Sequence, residues 1–109
     1  MDNTKTDDYF LGKIKEDLIF IVENMRDVSI KGLESNRLLL DSIMFRMIQL
    51  SANSKRLTEE YRITCSDIPW EQIFGLRNRI VHDYGNIDLN IVYDTLTYDI
   101  PDLLKKIEE

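Results

Sequence analysis

Apolar residues recur three and four positions apart along nearly the whole chain, the spacing that gathers side chains on one face of an α-helix. Phe10, Ile14, Leu18, Ile21 and Met25 step by four, four, three and four, which predicts a first helix over about Asp8 to Val28 with a single buried stripe. Thr6 or Asp7 is placed to cap its start, and Gly32 lies just beyond its expected end. After a short turn near Leu33 to Asn36, a second and longer helical region carries Leu40, Ile43, Met47, Leu50, Leu57 and Tyr61 on a continuing face. Its polar interruption from Ser51 to Ser54 is expected to mark close packing of small residues.

The segment Cys65-Ser66-Asp67-Ile68-Pro69-Trp70 reads as a loop and a helix start, because proline loses nothing in the first helical turn, where its missing N–H has no partner to find. A third helix then covers about Pro69 to Tyr84 and stops at Gly85. A fourth starts from Asp88 as N-cap and carries Ile91, Val92, Leu96, Ile100, Leu103, Leu104 and Ile107. Pro101 cannot donate to the preceding turn, so a kink or break is expected near Asp99 to Pro101. No strand pattern interrupts this rhythm. The fold class is all-α, an antiparallel bundle of four to five helices, with the four methionines and most aromatics in its core. Trp70, at a helix start, is placed to plug the bundle end or a dimer seam.

At 109 residues the chain fits a single domain, 1–109, with enough apolar material, 43%, for one core. A chain this short buries only about 60 to 70% of its unfolded surface, so dimerisation is a reasonable further source of stability. The longest apolar run, Leu18 to Val22, is far below the ~20 residues that cross a bilayer, and the first residues are acidic and polar; a soluble, cytoplasmic protein is expected. One cysteine, Cys65, excludes an intrachain disulfide, and with no activating group beside it the residue reads as a loop or packing position. The net charge of −6 argues against coating nucleic acid by bulk attraction. Any such chemistry must use local positive charge, for which Arg77 with Arg79 and Lys55 with Arg56 are the candidates, although each taken alone reads as a solvated helix face.

Four scattered glycines make no phosphate loop or dinucleotide fingerprint, and one histidine without paired cysteines gives no zinc pattern, so neither a cofactor nor a metal is indicated. What stands out is Gly75-Leu76-Arg77-Asn78-Arg79-Ile80-Val81-His82-Asp83-Tyr84-Gly85, where polar groups of catalytic type crowd the end of an apolar helix. A lone histidine there has an ordinary account, since a cation near a helix C-terminus meets the macrodipole favourably. Asn78 and His82, four apart, share a face, and Arg79 and His82, three apart, are neighbours. Arg77 and His82, five apart, diverge by about 140° on an ideal helix. One helix cannot aim both at one point; the same helix paired with its symmetry mate in a twofold dimer could bring arginine from one copy toward histidine of the other. Asp83 reads as solvated.

Arg77, four intervening residues, His82, one residue and Tyr84 match the RxxxxHxY signature of HepT-like toxins of the HEPN superfamily, and Asn78 matches the polar residue that commonly follows the arginine. The runs Ile68 to Asn78, Ile87-Asp88-Leu89, Tyr98 to Leu104 and Ser54-Lys55-Arg56-Leu57 also resemble that family, so the likeness covers essentially the whole chain. Ser42-Ile43-Met44-Phe45-Arg46 and Gln49-Leu50-Ser51 depart from it, lying where the family usually shows a more apolar run with alanine and glycine. The resemblance implies a HEPN-like bundle forming a twofold homodimer, and a metal-independent RNA endonuclease that is the toxin of a type VII toxin–antitoxin system. In that reading His82 moves protons near neutral pH, Arg77 stabilises the charge-rich phosphorane, and Asn78 orients or contacts phosphate. Arg79, Lys55 and Arg56 are possible RNA contacts. Tyr84 would accept AMP from an MntA-type nucleotidyltransferase antitoxin, which would place negative charge and bulk where RNA enters. Two non-enzymatic readings stand beside it: a nucleotide- or partner-binding helical subunit of a nucleotidyltransferase, and an adaptor with no nucleotide role.

Overall fold

Thr6 opens the first helix as expected: in extended backbone, its hydroxyl accepts the Tyr9 N–H of helix α1 (Asp7–Asn24). In the computed structural model, which describes residues 6–108, there follow α2 (Ile30–Ser35), α3 (Arg37–Arg56), α4 (Glu59–Thr64) and α5 (Trp70–Asp83). A 3₁₀ turn (Tyr84–Asn86) leads to α6 (Leu89–Asp94), a π-helical turn (Thr95–Asp99) and α7 (Ile100–Glu108). No strand occurs among the described residues, so the all-α class is borne out, and no helix there is long and apolar enough to cross a membrane.

α3 is the central element. It packs on α1 along the most extensive contact of the fold, and it also meets α5 and α2, while α1 carries α7 on its other flank. The stripe expected on α1 is buried from Phe10 to Met25, and Ile43, Met47 and Leu50 of α3 are buried in the same core. Ser51 and Ser54 are buried too, so the polar interruption of α3 is a line of small side chains that lets a neighbour approach; the Ser54 hydroxyl returns to the Leu50 carbonyl at 2.7 Å. Met25, Met44 and Met47 lie in the core, whereas Met1 falls outside the described residues.

Several boundaries differ from the sequence pattern. α1 stops at Asn24 rather than Val28, and the left-handed residue in the turn that follows is Asp27, at φ 60°. Aspartate tolerates that conformation through local hydrogen bonding, so no glycine is needed, and Gly32 instead lies inside α2, its N–H taken by the capping hydroxyl of Ser29. The long helical region is two helices. Leu57 and Thr58 are both extended, and Asp7 accepts the N–H and hydroxyl of Thr58 at 2.8 Å each, bracing the start of α4. Leu57 and Tyr61 keep helical spacing across that break, which is why periodicity ran through it.

α5 ends at Asp83, and Gly85 takes no left-handed conformation, because the 3₁₀ turn tightens the chain end without one. Asp88 caps α6 through the Asn90 N–H. The break expected near Pro101 is a π turn just before it: the Ile100 N–H reaches back to the Thr95 carbonyl, and the widened turn makes room for the proline ring. Ile91 is exposed, since its neighbour Val92 holds the core-facing position, and Tyr9, Phe45 and Tyr98 are exposed exceptions to the aromatic core.

Arg46, part of the run that departs from the family pattern, has a partner in the core. Its Nη1 lies 3.0 Å from Oδ1 of Asp17, a carboxylate on the buried stripe of α1, and its guanidinium stacks 4.1 Å from the Phe20 ring centre. Burial raises the Asp17 carboxyl above its ordinary value, and Arg46 opposes the rise. A raised value means the fold favours the protonated acid. This group's contribution is therefore largest in acid and declines as pH rises through the raised value, leaving Arg46 to compensate at neutrality. Arg46→Met should cost about 2 kcal/mol at pH 7, below the range for a fully buried pair because the guanidinium is partly exposed. Urea unfolding should show that loss shrinking in acid, and Asp17→Asn should restore most of it at pH 7. A loss of equal size at both pH values would contradict the account.

Candidate active site

One stripe of α5, Trp70, Ile73, Leu76 and Ile80, is buried against the rest of the bundle. Trp70 anchors the start: its indole N–H donates to the carbonyls of Arg62 and Cys65, both at 3.2 Å, so it ties down the α4–α5 loop. Cys65 is free, half-buried and packed against the core, as its loop reading expected.

With that stripe fixed, the polar residues of α5 distribute around what remains. Arg77 is half-buried, its Nη1 donates to the neighbouring Asn78 Oδ1 at 3.2 Å, and it follows by three residues Phe74, whose ring meets Lys55 of α3, so helix spacing puts it on the α3 side. Asn78 is exposed, and His82, one turn on, is fully out on the solvent face with no hydrogen bond or ion pair among the described residues. Within one chain the structure does not join Arg77 to His82: five residues of rigid helix hold the two apart, as the spacing indicated. Asp83 is exposed and accepts from the Asn86 amide at 2.9 Å, in keeping with a solvated role.

The outlying cations separate. Lys55 of α3 lies 5.1 Å from the ring centre of Phe74, one turn before Asn78, and Arg62 of α4 lies 5.8 Å from the same ring. Arg56 points elsewhere, 5.9 Å from the Phe10 ring of α1. Arg79 is exposed on the opposite flank of α5, on the rim of shallow pockets shared with Asp83, Asp88 and Asp99. Arg62 carried no signal in the sequence, because α4 is too short to show a face.

Tyr84, expected as the last residue of the third helix, falls outside α5. It is half-buried in the 3₁₀ turn, and its hydroxyl donates to the Asp41 carboxylate of α3. Arg37, one turn before Asp41, pairs with that carboxylate at 3.5 Å and lies 5.9 Å from the Tyr84 ring centre. Burial first, then the hydrogen bond and the charge of Asp41, push the Tyr84 phenol up to about 12. Nothing local in the sequence links residues this far apart. No group of three His, Cys, Asp or Glu side chains that could hold a metal ion is found among the described residues.

The comparisons with known proteins agree on one family. Residues 13–109 match the family described as ribonuclease HepT-like. A protein of Caldanaerobacter subterraneus subsp. tengcongensis named "Putative RNase" is 26% identical over 105 residues, which cover 96% of this chain and 94% of that protein. A "Putative RNase" of Methanocaldococcus jannaschii is 23% identical over 99 residues, covering 91% of each. The "Probable ribonuclease HepT" of Thermococcus cleftensis is 22% identical over 100 residues, covering 92% of this chain and 91% of that one. No solved structure matches. A family match over nearly the whole length, on an all-helical chain that carries the RxxxxHxY pattern from Arg77 to Tyr84, establishes that this protein belongs to the ribonuclease HepT-like family.

Proposed function

We propose that this chain is an endoribonuclease, the toxin of a type VII toxin–antitoxin pair, which cuts RNA without a metal ion at a cleft between two copies. A nucleotidyltransferase antitoxin silences it by transferring AMP onto Tyr84. The observation that carries the cleavage reading is the state of His82: the one imidazole of the chain stands exposed on α5 without a partner of its own, one turn from Asn78. An imidazole placed for core packing or in a structural ion pair would be covered or paired, and the RxxxxHxY pattern it shares with Arg77 and Tyr84 sets it apart from a cation that only meets the helix macrodipole.

In RNA cleavage the ribose 2′-oxygen bonds to phosphorus while the bond to the 5′-oxygen breaks. A proton leaves the 2′-hydroxyl, and one reaches the departing oxygen. His82 can move such a proton near neutral pH, and Arg77 offers paired donors to the phosphorane oxygens. These side chains supply both roles, so the reading needs no bound cation. Arg77 and His82 diverge on one helix, and a twofold pairing of α5 with a second copy places one of each on the same phosphodiester. Lys55 at Phe74 lies where RNA would continue along α5, and Arg79 is available on the other flank.

Purified protein should cleave RNA in excess EDTA, and His82→Ala or Arg77→Ala should abolish cleavage with thermal melting nearly unchanged; an intact substrate after treatment with the parent protein would overturn the reading. The shared cleft has its own test. The Arg77→Ala and His82→Ala chains, refolded together in equal amounts, should recover about a quarter of the parent activity, because half the dimers are mixed and each has one complete site. A mixture as inactive as its components would place both groups in a single chain. Tyr84→Phe should keep its RNA cleavage yet escape silencing by the antitoxin, and AMP incorporated into that variant at the parent level would reject Tyr84 as acceptor.

A further inference from the structure

RNA cleavage as derived above makes no use of Asp41. This carboxylate, on the first turns of α3, holds the hydroxyl hydrogen of Tyr84 across the gap to the 3₁₀ turn, and Arg37 lies against both. Arg37 and Asp41 are exposed at the surface where they meet the phenol, so a nucleotide presented by another protein can reach the same place.

A protonated phenol is a weak nucleophile, and making it an ester requires its proton to depart as the new bond forms. Ionisation in advance offers no route here. With the phenol pushed up to about 12, the phenolate at pH 7 is on the order of one molecule in 10⁵. The charged groups acting on the phenol are Asp41 and Arg37, both from α3. Of these only the carboxylate can take a proton, and it already accepts that hydrogen.

We propose that Asp41 is the catalytic base for nucleotidyl transfer onto Tyr84, with Arg37 the cation that receives the incoming α-phosphate; this rests on the reading of Tyr84 as the AMP acceptor. The Tyr84 oxygen bonds to the α-phosphorus of ATP, and the bond from that phosphorus to the pyrophosphate oxygen breaks. Pyrophosphate leaves with the electron pair. The phenolic proton passes to the Asp41 carboxylate and from there to water. The completed ester has no hydroxyl to donate, so the Tyr84–Asp41 bond is lost, and the new phosphate, repelled by Asp41, finds Arg37 beside it. The chain to be modified thus carries part of the machinery of its own modification.

The test is transfer of α-labelled ATP onto the full chain by its cognate nucleotidyltransferase, followed across pH. Asp41→Ala should lower the rate about 10²-fold or more near neutrality. With no carboxylate to take the proton, its rate should climb by roughly tenfold per pH unit where the parent's does not. Asp41→Asn keeps an oxygen that can accept the hydrogen bond but cannot take the proton, so it should stay slow; Asp41→Glu should recover part of the rate. RNA cleavage by unmodified Asp41→Ala should match the parent. An Asp41→Asn chain labelled at the parent rate with the parent pH profile reduces Asp41 to a structural tie and overturns the proposal. A parent chain that takes no label defeats the acceptor reading itself and is recognised by that result alone.

Discussion

Trp70, Ile73, Leu76 and Ile80 are buried along one stripe of α5, and a helix that buries one stripe has no freedom left for the others. Each of those side chains contributes roughly 1.5 to 3 kcal/mol by leaving water, whereas an exposed contact such as the Arg77–Asn78 bond contributes about 1 kcal/mol or less. Rotating α5 to favour a polar contact would expose part of the stripe and lose far more than it gained. The core therefore dictates the geometry of the motif: Arg77 turns toward α3, His82 toward solvent, and no adjustment inside one copy joins them. A site using both needs a second surface, and for that reason the proposed chemistry and a twofold assembly stand or fall together.

α3 and α5 run in opposite directions along their seam, as the pairs Asp41 with Tyr84 and Lys55 with Phe74 require. That seam gathers Arg37, Lys55 and Arg62, with Asp41 the carboxylate paired to Arg37, in a chain whose net charge is −6. The other flank of α5 mixes Arg79 with Asp83, Asp88 and Asp99 around its shallow pockets. The two sides of one helix thus present different fields over a distance comparable to the Debye length. A polyanion approaching an acidic protein is drawn only where cations outnumber acids locally, which favours the α3 side over the Arg79 side and gives Lys55 more weight than Arg56, now turned toward α1.

The sequence disclosed most of the fold because buried stripes and caps are local. The α1 stripe from Phe10 to Met25, the Thr6 and Asp88 caps and the start of the third helix near Pro69 are each written within a few residues. Where local signals mislead, the cause is equally physical: Leu57 and Tyr61 hold helical spacing across two extended residues, and Asp27 does in the first turn what a glycine was expected to do. Asp17 was legible in principle, as a carboxylate three residues from Ile14 and four before Ile21 on a buried stripe demands a counter-charge, though not which one. Arg77, Asn78, His82 and Tyr84 were legible as a motif. Asp41, Arg37 and Arg62 were not, since they reach Tyr84 and Phe74 through tertiary packing between separate helices.

His82 and Tyr84 are two residues apart but belong to different surroundings, one free in solvent on α5 and the other turned in and tied to α3. Tyr84 lies past the end of α5, in the 3₁₀ turn, with its hydroxyl tied to Asp41 of α3, the helix on whose side Arg77 also falls. On the proposed reading, a nucleotide attached at Tyr84 is therefore added on the arginine side of the motif, not the imidazole side. Its phosphate would lie beside Arg37. Silencing then works by occupying the cations that would hold the RNA backbone, and it can leave the helix, the imidazole and the core stripe in place. On the same reading the protein would be switched off without being unfolded, since the Tyr84 turn lies at the margin of the packing that sets its shape.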